Sequence, residues 1–314
     1  MSFEIRDDYL IPIEPGQAVG RGWGNTPFGR PVGVTWHWTA TKDLALCRQV
    51  LGGRNAERRG EASAHYGIGR TFNEGVDRYV SIEDRSWHAG INQTLRWDGK
   101  PLVDNRFKGT RTTIGVETVN VGFARAGFKK GDDWLTAADP NGKHVMHVQP
   151  WPPEQIKMMV AVGKEIIKRW DGITYRDHHG HHDICPGYKQ DVAGFPFAQV
   201  LREIYGDQTI PDVWTPLWKP EQRQAALQAL GYNIGTRAPD GDWGRFSDAA
   251  LRKFQRENGM LADGMWTTFV SWKVYDVIKA RGLEWPPRLP SEAVVPAIGA
   301  GRAVPEAMAA APGG

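Results

Sequence analysis

Cysteine is nearly missing: Cys47 and Cys185 are the only two in 314 residues. That is too few for the disulfide framework of a small secreted scaffold, so the fold must rest on its apolar core. A pairing of the two, or a metal role, stays open from the sequence. No run of eighteen apolar residues occurs anywhere, which excludes a membrane-spanning helix. The opening MSFEIRDDYLIPIEP carries acidic residues and no apolar stretch of useful length, so neither a signal peptide nor an anchor is expected there. Charge of one sign is lacking too, since 39 basic and 36 acidic residues leave a net +3. No block of like charge suggests a nucleic-acid arm, although mild basicity suits an anionic polymer. What the chain has is length for two domains and fourteen tryptophans, most expected in cores and some available as flat faces against sugar rings.

The first two-thirds alternate β-branched runs with helical patterns, as an α/β (α+β) domain with a mixed central sheet flanked by helices would. Strands are expected at 32–36, 64–69, 77–82, 113–119 and 172–177, a helix near 42–51, and a long loop over 90–112. The clearest helix starts at Pro152-Pro153, with apolar repeats at Ile156, Met159, Val160, Ile166, Ile167 and Trp170. Three prolines in a polar setting at 206–220 read as an interdomain linker. Beyond it the pattern is wholly helical, with helices at 221–230, 247–258 and 267–281 separated by Gly-rich turns. The expected organisation is a catalytic domain at 15–207, a linker at 208–220, a small three-helix domain at 221–283, and a disordered Ala/Pro/Gly-rich tail at 284–314.

Chemistry concentrates in HHGHHDICPGYKQD at 178–191, which gathers His181, Lys189 and Asp191 in one loop after a strand, with a second cluster upstream around His37. Catalytic zinc is typically held by three protein ligands, leaving one position for water. Two histidines and one carboxylate would fill that role. The bland alternatives are an adventitious metal tract or a solvated turn for the histidines, a loop lysine for Lys189 and a turn former for Asp183. His178, His179 and His182 read as strand or supporting residues rather than ligands. Glu117 ends an apolar strand, where a carboxylate is costly unless it faces a cleft or a partner.

The motifs VTWHWTA, SAHYGIG, WHAG, TIGVETVN and GHHDICPGYKQD stand in the order of the type-2 N-acetylmuramoyl-L-alanine amidase family, related to peptidoglycan recognition proteins, and the chain resembles that family over 32–191. Lys189 and Asp191 follow His181 by 8 and 10 positions, similar to the family branch with an Asp third ligand. The resemblance implies one Zn²⁺ bound by His37, His181 and Asp191, with Glu117 serving the metal's water and Lys189 assisting at the reacting carbonyl. It also suggests substrate contact for His65 and His88, which a buried structural role explains about as well. Short phage amidases carry a tyrosine before the second-motif histidine and a cysteine third ligand. This chain has Ala64 and Asp191 there and leans on Glu117 instead. Cys185, on a turn before Pro186, is given a structural role.

The C-terminal part resembles the peptidoglycan-binding domain type 1 through QAALQALG, Asp240-Gly241-Asp242-Trp243-Gly244, AALRKFQ and Ala262-Asp263-Gly264. Asp240, Gly241, Trp243, Asp263 and Gly264 are its candidate binding residues, while Leu227, Leu230, Leu251 and Phe254 would form a small core. The usual Gly-Pro-x-Thr turn is replaced by Met265-Trp266-Thr267-Thr268. The expected partner is peptidoglycan, with no nucleic acid and no protein partner implied, and a monomer is expected. The resemblance implies hydrolysis of the amide between N-acetylmuramic acid and L-Ala. A phage endolysin made in the cytoplasm and released through holin lesions suits the absent export signal. Alternatives are a cytosolic recycling amidase, an exported antibacterial toxin, a zinc peptidase cutting within the stem peptide, and a non-catalytic wall receptor.

Overall fold

A computed structural model describes residues 2–52, 61–89, 109–139, 145–186, 189–235 and 238–289. The loop expected over 90–112 and the tail expected beyond 284 fall mostly outside these residues. The strands are β1 (Ile5–Arg6), β2 (Val19–Gly20), β3 (Gly33–Trp38), β4 (Tyr66–Ile68), β5 (Val76–Arg78), β6 (Arg85–Ser86), β7 (Thr113–Thr118), β8 (Leu135–Ala138), β9 (Val145–Val148) and β10 (His178–Gly180). Six of them form one sheet in the order β1-β5-β4-β7-β3-β10, in which only the β4–β5 pair is antiparallel. Two small antiparallel pairs, β2–β6 and β8–β9, sit beside it.

Period-two alternation gives this sheet two unlike faces. Val34 and Trp36 of β3, Ile114 and Val116 of β7, and Tyr66 and Ile68 of β4 belong to the main apolar core. The intervening Thr35, His37, Thr113 and Glu117 are equally buried but polar, and they line the opposite face. The helix α1 (Leu44–Leu51) is capped by Asp43, whose carboxylate accepts from the Leu46 N–H at 2.8 Å. The apolar face is covered by α2 (Pro153–Arg169), which starts on a proline, places Glu154 in its first turn and ends on Lys168 and Arg169, all matched to the helix dipole. It packs so closely on a later helix (Phe197–Tyr205) that a Cβ on Gly163 would lie 2.2 Å from Ile204.

Three expectations need correction. Residues 172–177 are not a strand: they form a turn and a 3-10 helix, Tyr175–Asp177, because Asp177 folds back to accept from both the backbone N–H and the hydroxyl of Thr174. The strand is the next three residues, β10, where pairing with Val34, Thr35 and Trp36 is available. Second, 208–220 is not a solvated linker. Ile210, Val213, Trp214 and Leu217, beside and between its prolines, are core, and Trp214 stacks on Phe197 at 4.9 Å. Third, the sheet reaches back before residue 15, since Ile5 and Arg6 pair with Val76 and Asp77.

After the short helix α3 (His181–Ile184) and α4 (Phe197–Tyr205), the C-terminal unit is built from α5 (Pro220–Ala229), α6 (Arg245–Glu257) and α7 (Thr268–Ala280). Its core holds Leu227, Leu230, Leu251 and Phe254 together with Trp243 and Trp266. The unit lies against the edge strand β10. The Phe269 ring faces His179 at 5.8 Å, Arg176 makes two hydrogen bonds of 2.9 Å to Asp276, and Trp272 belongs to the main core. Covering an edge strand in this way hides its open hydrogen-bonding row.

Candidate metal centre and active site

The polar face of the sheet delivers its functional groups to the carboxyl ends of β3, β7 and β10, where open α/β sheets hold their ligands. His37 and Glu117 are direct partners in the β3–β7 register, so their side chains emerge side by side. His181 opens α3 immediately after β10, and Asp191 is drawn back to it by the loop, whose Asp191 carbonyl accepts from the His182 N–H at 2.6 Å. Asp191 Oδ2 stands 3.0 Å from His37 Nδ1 and 3.2 Å from His181 Nδ1. The three groups offer ligand atoms within 4.8 Å of one another, and all three residues are buried. Glu117 Oε1 is 3.8 Å from His37 Nδ1.

Proton bookkeeping tests whether this set fits a cation. His88 Nε2 faces the Thr113 carbonyl at 3.0 Å, which can only accept, so that nitrogen carries the proton. His88 Nδ1 must then accept from His37 Nε2, 3.0 Å away. His37 thus turns a bare lone pair on Nδ1 towards a carboxylate oxygen. Burial, with His181 beside it, pushes its pKa down to about 4, so the ring is neutral at physiological pH. Two electron-rich atoms 3.0 Å apart repel unless something positive sits between them. Donors sharing a tetrahedral ion at bond lengths of about 2.0 Å are about 3.3 Å apart. The buried His181 Nε2 and Glu117 Oε2 lack hydrogen-bond partners among the described residues. The residues present fit a divalent metal.

Burial, then the Asp191 charge, raises the Glu117 pKa to about 8, while the Lys189 charge works the other way. A carboxyl tuned near neutrality can accept and return a proton. The Lys189 charge is felt at both His37 and Glu117.

His65 and His88 are not placed for substrate contact. His65 is fully buried, with Nδ1 accepting from the Gly115 N–H at 3.0 Å and meeting the Ser86 hydroxyl at 2.7 Å, and Nε2 directed at the Asp84 carbonyl at 3.0 Å. His88 lies over Gly115, where any Cβ would come within 2.2 Å of its ring, and it acts on His37 from behind. Both cysteines are free and buried, and burial raises the Cys185 thiol to about 12, in line with a structural role. In the C-terminal unit, Asp240, Gly241, Asp263 and Gly264 form two turns held from inside by Gln224 and Gln255. Trp243 is buried in the small core, 7% exposed. The hydrogen bonds of these turns, and the burial of Trp243, give the unit its shape.

The sequence reads His182 as a strand or supporting residue and Asp183 as a turn former, and what it does not reveal is how the two are joined to Asp191. His182 Nδ1 faces the Asp191 carbonyl at 3.1 Å and Nε2 faces Asp183 Oδ1 at 3.1 Å. Burial opposes its protonation, but the Asp183 carboxylate prevails and raises its pKa. The only signal available was the Gly180-x-x-Asp183 capping spacing.

Two imidazoles and a carboxylate converge beside a second, proton-tuned carboxylate, a donor set that suits a divalent metal of the hydrolytic kind. Residues 27–192 match the Amidase_2 family, N-acetylmuramoyl-L-alanine amidase, and the chain belongs to that family. Residues 220–270 match a peptidoglycan binding domain, so the C-terminal unit is a module of that type. The N-acetylmuramoyl-L-alanine amidase AmiD of Escherichia coli strain K12 is 28% identical over 128 residues, which is 40% of this chain and 37% of that protein. The chain therefore spans little more than a third of the length of that curated relative. Among solved structures, AmiD from E. coli in complex with the substrate anhydro-N-acetylmuramic acid-L-Ala-D-gamma-Glu-L-Lys is 21% identical, with 81% of this chain and 92% of that one covered and a TM-score of 0.42. AmpDh3 from Pseudomonas aeruginosa in complex with anhydromuramic pentapeptide is 20% identical, covering 88% and 98%, with a TM-score of 0.43.

Proposed function

We propose that the protein is a zinc-dependent N-acetylmuramoyl-L-alanine amidase, cutting the amide between N-acetylmuramic acid and L-Ala of peptidoglycan. The observation that carries this reading is the convergence of His37, His181 and Asp191 beside a buried Glu117. A Zn²⁺ held by those three would supply Lewis acidity and an activated water. Glu117 is placed to take the proton of the attacking water and return it to the leaving amine. Lys189 brings positive charge to the carbonyl oxygen as the tetrahedral state develops. The C-terminal module would hold the insoluble substrate close to this centre.

The test combines metal control with product analysis. Chelation should abolish release of stem peptides from purified sacculi, and added Zn²⁺ should restore it. Mass spectrometry should find intact stem peptides with free L-Ala amino ends. Cleavage inside the stem would make the enzyme a peptidase, and undiminished activity after full zinc removal would sink the metal reading.

A phage endolysin is the biological role we favour, because a wall-binding module is superfluous for recycling of soluble fragments. Co-expression with a holin should lyse the host where either protein alone does not.

A further inference from the structure

The junction between the two units lies directly behind the metal site. Asp183 sits on α3 two residues after His181, is 3% exposed, and uses both carboxylate oxygens. Oδ2 accepts from the Gly180 N–H at 2.7 Å, which caps the turn carrying His181. Oδ1 accepts from the Thr268 N–H at 2.6 Å and faces His182 Nε2 at 3.1 Å. His182 in turn grips Asp191 through both its backbone N–H and its ring. Thr268 is the first residue of α7, and its N–H is one of the donors that a helix cannot satisfy internally. The positive end of that helix therefore meets a buried carboxylate.

We propose that Asp183 is a positioning residue through which α7 of the C-terminal module holds the His181–Asp191 loop in ligating geometry, so that module docking and metal affinity are linked. The proposal rests on the metal reading of the site. Its physical basis is that outer partners fix the orientation of ligating side chains, and their loss typically weakens metal affinity by about 10–100-fold. Here the outer partner belongs to another domain, 85 positions further along the chain. The wall-binding unit is thus part of the catalytic scaffold, and not only a tether.

The test measures Zn²⁺ affinity of the full-length chain by competition with a chromophoric chelator, in wild type and three variants. Asp183→Asn keeps the shape and removes the charge. Thr268→Pro deletes the N–H donor at a position where proline suits the first helical turn, and the preceding Thr267 is already extended at φ −114°, ψ 168°. Thr268→Val keeps the N–H but loses the hydroxyl that accepts from the Trp214 indole at 3.0 Å. The expected result is a rise in the zinc Kd of about tenfold or more for D183N and T268P, with T268V close to wild type and circular dichroism unchanged. Wild-type affinity in both D183N and T268P overturns the proposal. Loss in D183N but not in T268P overturns the link to the module, and equal losses in T268V and T268P assign the effect to Trp214 packing and overturn it as well. If the wild type bound no zinc, the metal reading itself would fall, and this inference with it; equal binding by all four chains sinks only the inference.

Discussion

Buried polar side chains are used in opposite ways in the two halves of this molecule. In the C-terminal module, the Gln224 amide donates to Asp240, Asp242 and Ser247 and accepts from the Asp240 and Gly241 N–H groups. Gln255 repeats the device at the second turn, donating to Asp263 and Met265 and accepting from Gly264. Gly241 and Gly264 have φ of +80° and +69°, which is why each turn requires glycine. At the candidate metal centre, by contrast, Glu117 Oε2 and His181 Nε2 are buried without hydrogen-bond partners among the described residues. A lone orphan is not the signature of chemistry, since Trp243 Nε1 in the module is one too. What marks the site is several ionisable groups converging while their protons are committed elsewhere. Satisfied amides make a scaffold, and under-satisfied acids and imidazoles make a reactive centre.

The largest effect that could break this contrast is at Glu117. Glu117→Gln should lower kcat on a soluble muropeptide by a factor on the order of 10² or more, with zinc affinity retained, because the role proposed for it is proton transfer and not ligation. A normal rate in that variant would reduce Glu117 to a buried structural acid and erase the distinction. Lys189→Ala should lower kcat similarly with KM little changed; a change confined to KM would reassign Lys189 to substrate binding. On the module side, Gln255→Ala should cost about 1–3 kcal/mol in chemical denaturation by leaving buried turn groups unpaired. Turnover per folded molecule should hold. A large loss of turnover there would mean that the turns serve chemistry after all.

Much of this was legible in the sequence, for reasons that separate particular residues. The alternation Val34-Thr35-Trp36 and the run Ile114–Glu117 carry their strand period in plain view, whereas the side-by-side placing of His37 and Glu117 comes only with the β3–β7 pairing. The spacing of His181, Lys189 and Asp191 is local and could be read directly. The strand at His178–Gly180 was displaced upstream because Ile173 and Thr174 look more strand-like, whereas pairing is decided by the neighbour β3. Two-residue strands such as Ile5–Arg6 have no period to detect. Asp183 was invisible as anything but a turn former, since its decisive partner, the Thr268 N–H, is a backbone group with no sequence signature. Trp214 and its neighbours were hidden by the prolines around them, which report turns and not burial.

The smallest predicted effect sharpens the comparison from within the apolar face of the sheet. His178 points away from the metal centre. Its Nδ1 accepts from the Trp36 indole at 3.2 Å, and its Nε2 meets the Tyr205 oxygen at 3.0 Å, whose own proton goes to the Ile173 carbonyl. The neutral ring is therefore fully engaged, and a second proton would have to displace the Trp36 donor. Burial, with His179 nearby, lowers its pKa from 6.5 to about 3. With the folded value below the unfolded one, the unfolded chain binds more protons throughout that window. The stability this ring contributes is complete above pH 6.5 and is lost as pH falls towards 3. The loss from this one group approaches about 1.4 kcal/mol per pH unit. Urea denaturation of the chelated protein between pH 6.5 and 4 should show that slope superimposed on others, and His178→Asn, though less stable overall, should flatten it by about that amount. An identical slope in the variant would mean that His178 is already protonated in the fold, which would place a charged imidazole among the aromatic rings of Trp36 and Tyr205.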